Sequence, residues 1–519
     1  MRITGQIFLA TILALGLIVG GCSKKPTPLD QSPASTQLKH FIAEKKAQAT
    51  AAAVADKQEM LPEFKNVFAA ADKGDWRSVS NQFDALQKFA AQQRQKATTS
   101  APSKFWISRL LANLRERIFA KGDQAMSGRL HGTQWEAVRE VYGAFDCLAS
   151  DVEKDKHFVT LGQDIIRTIP PGSIYLGGSD PGRWTVTALQ TSHVNADPFF
   201  TLTQNAMADP MYLEYLRSMY GKKIYIPTPD DSQKCFQNYM EDAQRRILHD
   251  QTSPSEPKQI RPGEDVRNDG NGHIQVSGKI AVMAINAELV KVIFDHETNC
   301  EFYVEESFPL DWMFPRLEPH GLIMKINREP LTELPEDVVR KDHEFWTKEV
   351  APVIGDWLKD DTSVPEICAF VDKIYLKHDL SGFKGDPRLV SDDWAKWMSK
   401  MRGSIGGIYS WRIGLAPSGG VVPEESIAKG AARDRMIKEA DFAFRQAFAL
   451  CPGLEEVVFR YTTFLVNQKQ NADALAVAEI AAALHKGEPD AEQFRTLLNN
   501  LKSIQNSKST TPSGPKTGP

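Results

Sequence analysis

Ser179, Asp180 and Arg183 follow the run Ile174-Tyr175-Leu176-Gly177-Gly178 and are the residues best placed to do chemistry. A hydroxyl, a carboxylate and a cation behind two glycines suit the grip of an anionic group. A helix's first turn would add unpaired amide donors and the positive end of its dipole. Comparable polar residues close three further apolar runs. Gln204 and Asn205 follow Phe199 to Thr203, Thr228, Asp230 and Asp231 follow Lys223 to Pro227, and Glu305 and Glu306 follow Phe302 to Val304. Carboxylates there could hold a sugar hydroxyl or a divalent ion. Each has a plainer use too. Asp180-Pro181 and Asp209-Pro210 share one helix-start pattern, so capping alone accounts for Asp180. Glu305-Glu306 reads equally as a solvated strand end. Arg183 falls in a first helical turn, where a cation is disfavoured, and this points to a partner.

These residues can gather only if the runs before them are strands of one sheet. Ile174 to Leu176 is apolar and β-favouring, and Gly177-Gly178 ends it before Asp180-Pro181 opens a helix. Pro198 to Gln204 and Lys223 to Pro227 read as a second and third strand, with a helix from Met211 to Tyr220 between them. A helix from Ser232 to Leu248 and a polar surface excursion from Ser253 to Gly272 come next. Val282, Ile285, Leu289, Val292 and Ile293 mark the apolar face of another helix. Glu301 to Glu306 and Leu322 to Ile326 complete the strands. Alternating strand and helix predicts an α/β fold with a mainly parallel, Rossmann-like sheet, whose ligand crevice lies at the carboxyl ends of the strands.

The chain has 519 residues, too many for one core, with 42% apolar and 25% charged residues and a formal net charge of -4. That balance excludes a general nucleic-acid binder. Gly177-Gly178-x-x-x-Gly182 is neither nucleotide fingerprint, so no cofactor is expected. His193, His249, His273 and His296 lack H-E-x-x-H spacing and read as surface or core histidines. Past Cys22 the cysteines 147, 235, 300, 368 and 451 are far apart, which predicts buried thiols and no metal site. No G-x-S-x-G elbow occurs. Trp346, Trp357, Trp394, Trp397 and Trp411 read as helix packing, with an aromatic sugar platform as the alternative.

Arg2, the apolar run Ile7 to Val19 and the small residues before Cys22 form an export signal over 1–21. Val19-Gly20-Gly21-Cys22 resembles the bacterial lipobox, which implies lipid on Cys22. Ser23 in the next position implies the periplasmic face of the outer membrane. A Pro/Ser linker over 22–36 then leads to a helical region over 37–157. There Phe64, Val67 and Phe68, then Gly74-Asp75-Trp76, then Phe83, Leu86 and Phe89 spell helix, turn, helix. Helices are also expected from Trp106 to Ala120 and from Thr133 to Leu148. The α/β region spans 158–335 and a helical connector 336–420. In 421–502, Ala440, Phe444 and Ala447 recur 34 residues later as Ala474, Ala478 and Ala481. That is the tetratricopeptide period, and alanines at its hairpin crossings let helices approach. Residues 503–519 read as a disordered tail.

The stretch Gly172 to Arg183, with Asn205-Ala206-Met207-Ala208-Asp209 and the repeat-bearing end, resembles bacterial tetratricopeptide-repeat lipoproteins of uncharacterised role. Residues 172–221 are distantly similar to the soluble tail of polytopic, glycosyltransferase-like membrane proteins. The resemblance implies an extracytoplasmic accessory module and no transferase activity of its own. The expectation is thus a lipid-anchored binding or scaffold protein of the cell envelope, accessory to a glycan or glycosylation system. Its partners would be the membrane through Cys22, a protein through the helical repeats, and a glycan or anionic small molecule. The alternative is an enzyme acting on envelope sugars or phosphate esters at the strand-end crevice.

Overall fold

A computed structural model describes residues 33–57, 59–98, 132–154, 157–178, 180–256, 258–260, 264–268, 274–305, 310–391, 393–416, 422–489 and 491–509. Cys22, the export signal, the expected helix from Trp106 to Ala120, Ser179 and Glu306 lie outside them. The fold is mixed α/β and mostly helical. It divides into two compact units: one takes the described residues up to Val304 with Leu310–Trp312, the other Glu305 and the chain from Met313 on.

The first unit opens with helices α1 (Pro33–Ala55), α2 (Pro62–Asp72), α3 (Trp76–Thr98), α4 (Thr133–Lys154) and α5 (His157–Thr168). Helix α1 begins inside the expected linker, because Pro33 serves as a first-turn proline. Between α2 and α3, Gly74 turns at φ 68°. Asp75 caps α3, accepting from the Ser78 amide at 3.1 Å and the Ser78 hydroxyl at 2.7 Å. Phe83 stacks on Tyr142 at 4.0 Å and on Trp135 at 5.5 Å. Burying one such ring contributes about 1.5–3 kcal/mol. Gly143 stands mid-helix in α4, where a glycine costs about 1 kcal/mol. A Cβ there would lie 2.4 Å from the Trp184 indole, so the glycine makes room for that ring.

Strand β1 (Ile174–Gly177), helix α6 (Asp180–Leu189) and strand β2 (Phe200–Thr203) follow, then helices α7 (Pro210–Tyr220) and α8 (Pro229–Thr252). A hairpin of β3 (Asp265–Asn268) and β4 (Ile274–Ser277), helix α9 (Lys279–His296) and strand β5 (Phe302–Val304) complete the unit. β1 pairs in parallel with β2, Ile174 opposite Phe200, and with β5, Ile174 opposite Phe302. All three strands are buried, which is why they read as unbroken apolar runs. Asp209 caps α7 by accepting from the Met211 amide at 2.9 Å. Thr228 and Asp231 form a reciprocal capping box on α8.

Two expectations fail in this region. Lys223 to Pro227 is not a strand, because the Tyr225 amide donates to the Glu297 carboxylate at 2.6 Å instead of to a neighbouring strand. The presumed excursion from Ser253 to Gly272 contains β3, whose antiparallel pairing with β4 is masked by its polar side chains.

In the second unit, β6 (Leu317–His320) and β7 (Ile323–Ile326) pair antiparallel. Gly321, at φ 61°, turns the chain in two residues, and no crossover helix is needed. The five-stranded sheet is mixed: parallel pairing joins β2, β1 and β5, while β6 and β7 pair antiparallel, and β3/β4 is a separate antiparallel hairpin. The helices are α10 (Glu336–Ile354), α11 (Val364–Val371), α12 (Asp393–Trp411), α13 (Gly430–Leu450), α14 (Glu455–Asn467), α15 (Asn471–Leu484) and α16 (Ala491–Ser509). Gly406 of α12 brings its backbone against Phe444 of α13, where a Cβ would meet the ring at 3.0 Å. From α12, Arg402 Nη1 donates to Asp342 of α10 at 2.8 Å and Arg402 Nε to Gln446 of α13 at 2.7 Å, all buried. Trp346, Trp394, Trp397 and Trp411 are core residues, and Trp357 is half-buried. Helix α16 runs through Ser509, so residues 503–509 are helical and not a tail; residues 510–519 lie outside the described ones.

Candidate functional site

β1 has parallel neighbours on both sides, β2 visited first and β5 later. The strand order therefore reverses at β1, the place where open α/β sheets leave a ligand crevice. Gly177 ends β1, buried and opposite Thr203. A Cβ on Gly177 would stand 2.9 Å from Arg183 Cβ and 3.0 Å from Arg183 Cα. The glycine lets the first turn of α6 close against the strand. Tyr175 Oη secures that approach by donating to the Gly182 carbonyl at 3.0 Å. Gly178 is half-buried, and Asp180 is the first residue of α6. The half-buried Arg183 guanidinium lies 4.0 Å from the Trp184 ring centroid.

Gln204 closes β2 fully buried, and Asn205 is exposed in the 3₁₀ turn Gln204–Ala206. Asn286 of α9 holds that turn. Its Nδ2 donates to the Asn205 carbonyl at 3.2 Å, and its Oδ1 accepts from the Ala208 amide at 2.7 Å. The Thr203 amide donates to Tyr212 Oη at 2.7 Å. Gly177, Gly178, Arg183, Gln204 and Asn205 thus gather at the carboxyl ends of two paired strands. Asp230, Asp231 and Glu305 have other surroundings. Asp230 is exposed in the first turn of α8 and follows coil, not a strand. Glu305 belongs to the second unit, where it is buried and accepts from Trp397 Nε1 at 2.7 Å. It is an internal acceptor, not a solvated strand end. Asp231 is taken by its capping box and by Tyr225 Oη at 2.6 Å. Among the described side chains at this end, Arg183, Gln204 and Asn205 carry groups that can bind a polar or anionic ligand.

A second cluster escaped the sequence pattern. Lys45 of α1 is fully buried, with Nζ 2.6 Å from Glu140 Oε2 of α4 and 2.7 Å from both His193 Nδ1 and Tyr215 Oη. Tyr215 Oη donates to Glu140 Oε2 at 2.6 Å. Burial pulls the Lys45 amine below its ordinary pKa more strongly than the Glu140 charge restores it. Burial pushes the Glu140 carboxyl up, but Lys45 and His193 outweigh it and hold it well below the usual range. His193 is lowered by burial and then by Lys45. One signal was available: Leu38, Phe41, Ile42, Ala49 and Ala53 place Lys45 on an apolar helical stripe.

The five described cysteines are free thiols, Cys147, Cys235 and Cys368 buried as expected and Cys300 and Cys451 half-buried. Burial pushes Cys235 and Cys451 up to about 11 and Cys368 up to about 12, which keeps them unreactive. Among the described residues, no three histidine, cysteine or carboxylate side chains are grouped to hold a metal ion. No helix among them is long and apolar enough to cross a membrane. Neither a protein-family model, nor a curated protein, nor a solved structure matches this chain.

Proposed function

We propose that this chain is a lipid-anchored, extracytoplasmic binding and scaffold protein, accessory to an envelope glycan or glycosylation system. One observation carries the scaffold role. Ala440, Phe444 and Ala447 are buried on α13, and Ala474, Ala478 and Ala481 are buried on α15. The 34-residue offset thus equals one helix, loop and helix, which supports a tetratricopeptide-like hairpin repeat able to dock a protein. The parallel set β2, β1 and β5, with its β1–α6–β2 connection, supports a Rossmann-like reading of the α/β part of the first unit. Its strand-end residues would take a glycan or anionic group on Arg183 and the α6 amides. Anchoring rests on the lipobox-like run ending at Cys22. The test is recovery from detergent-solubilised envelopes with the full chain as bait. Specific capture of a membrane glycosyltransferase supports the accessory role, and capture of no envelope protein contradicts it.

The reversal of strand order at β1 favours one second reading, an enzyme on envelope sugars or phosphate esters at the same crevice. Turnover of such a substrate by wild type but not by Arg183→Ala would establish it. Ligand-induced stabilisation without turnover would retain the binding role.

A further inference from the structure

We infer that His193 and Lys45 form an acid-released latch that seats helix α1 on the first unit. Lys45 Nζ lies 2.7 Å from His193 Nδ1, and an ammonium can only donate. Nδ1 is therefore a bare acceptor, and the ring proton sits on Nε2. Protonation at Nδ1 would set two N–H groups face to face at that distance, inside a buried cluster.

Nothing nearby absorbs the added charge at no cost. From α4, Glu140 Oε2 lies 3.5 Å from Nδ1, but it already takes Lys45 and Tyr215 at 2.6 Å each. Glu136 is the other α4 carboxylate acting on the cluster. From α1 come Lys45 and Glu44; Glu44 accepts from Ser192 Oγ and stands 3.6 Å from His40 Nε2. From α7, Tyr215 is committed to Glu140, and Tyr220 Oη donates to the His193 carbonyl at 2.7 Å. A second cation therefore weakens the seat of α1, not the helix itself. Burial keeps the ring neutral, so the latch opens on the acid side of the ordinary histidine value of 6.5. If Cys22 carries lipid as proposed, releasing the 23 residues of α1 would lengthen the tether. The latch itself does not depend on that lipid.

Hydrogen exchange on the full chain at pH 7.5 and 5.0, corrected for intrinsic rates, tests it. Wild-type α1 should lose about tenfold in protection at pH 5.0 relative to pH 7.5, as a local opening does. His193→Gln keeps an acceptor and cannot titrate, so its α1 protection should be equal at both values. His40→Gln should behave as wild type. Unchanged wild-type protection, an equal loss in His193→Gln, or abolition of the loss by His40→Gln would each overturn the latch. Should His193→Gln fail to fold, nitrogen NMR of wild-type His193 decides. A bare Nδ1 at pH 7.5 supports the latch, and a doubly protonated ring with α1 seated contradicts it. The same exchange pattern in Cys22→Ala shows the latch to be separate from anchoring.

Discussion

At the scale of the residue, the first unit depends on a few side chains whose neighbours leave no alternative. Lys45→Met would leave Glu140 buried without its cation, a loss of about 3–5 kcal/mol in urea unfolding. A loss below about 1 kcal/mol would mean that water reaches the cluster. Gly143→Ala would drive a Cβ into the Trp184 indole at 2.4 Å, costing about 1–3 kcal/mol although alanine is the better helix former. Equal or higher stability would show that the indole has another resting place. The pH dependence follows from two depressed groups. Glu140 and His193 both titrate below their ordinary values of 4.5 and 6.5, so the unfolded chain takes up protons first as pH falls. Stability is complete above each ordinary value and is lost as pH drops toward the folded one. The urea midpoint should fall from about pH 6.5 downward and more steeply below about 4.5. A midpoint that rises between pH 7 and 5 would contradict the signs.

At the scale of the element, most of what was legible in the sequence is local. Ile174 to Gly177, the Asp-Pro helix starts and Gly74-Asp75-Trp76 each carry their own strand end, cap or turn within a few residues. Lys223 to Pro227 has strand-forming residues but lacks a strand beside it, and sheets are made by pairing, not composition. β6 was hidden by Glu318 and Pro319, and its reversal rests on Gly321 alone. The Lys45 cluster was invisible because its partners His193 and Tyr215 are 148 and 170 residues away. Only the lysine on an apolar stripe hinted at it. Of the candidate site, the glycines, Arg183, Gln204 and Asn205 stand at two paired strand ends, because a strand end is written in a few neighbouring residues. That Glu305 is buried, and not solvated, was not legible because its donor Trp397 is 92 residues away. Element contacts also predict that Gly406→Leu would prise α12 from α13, where even a Cβ meets Phe444 at 3.0 Å. A loss of about 1–3 kcal/mol or more in the second unit is expected by exchange of α13 amides. Unchanged α13 protection would show that the helices can part.

At the scale of the whole molecule, the two units divide the proposed work. The first holds the strand-end residues and the α1 seat, and the second holds the alanine-faced helices. A ligand bound at Arg183 should raise the melting temperature of wild type, by about 2–4 °C per kcal/mol gained, and leave Arg183→Ala unmoved. Stabilisation of both proteins alike would place the ligand elsewhere. Function in this account begins with position, since a binding protein tied to a lipid surface meets only what that surface carries. The most direct test is the mass and lipid content of the mature N-terminus isolated from membranes. The account predicts a chain that begins at Cys22 with acyl chains on its thiol and amine, and that becomes soluble in Cys22→Ala. An unacylated N-terminus, or wild-type protein recovered wholly in the soluble fraction, would contradict it.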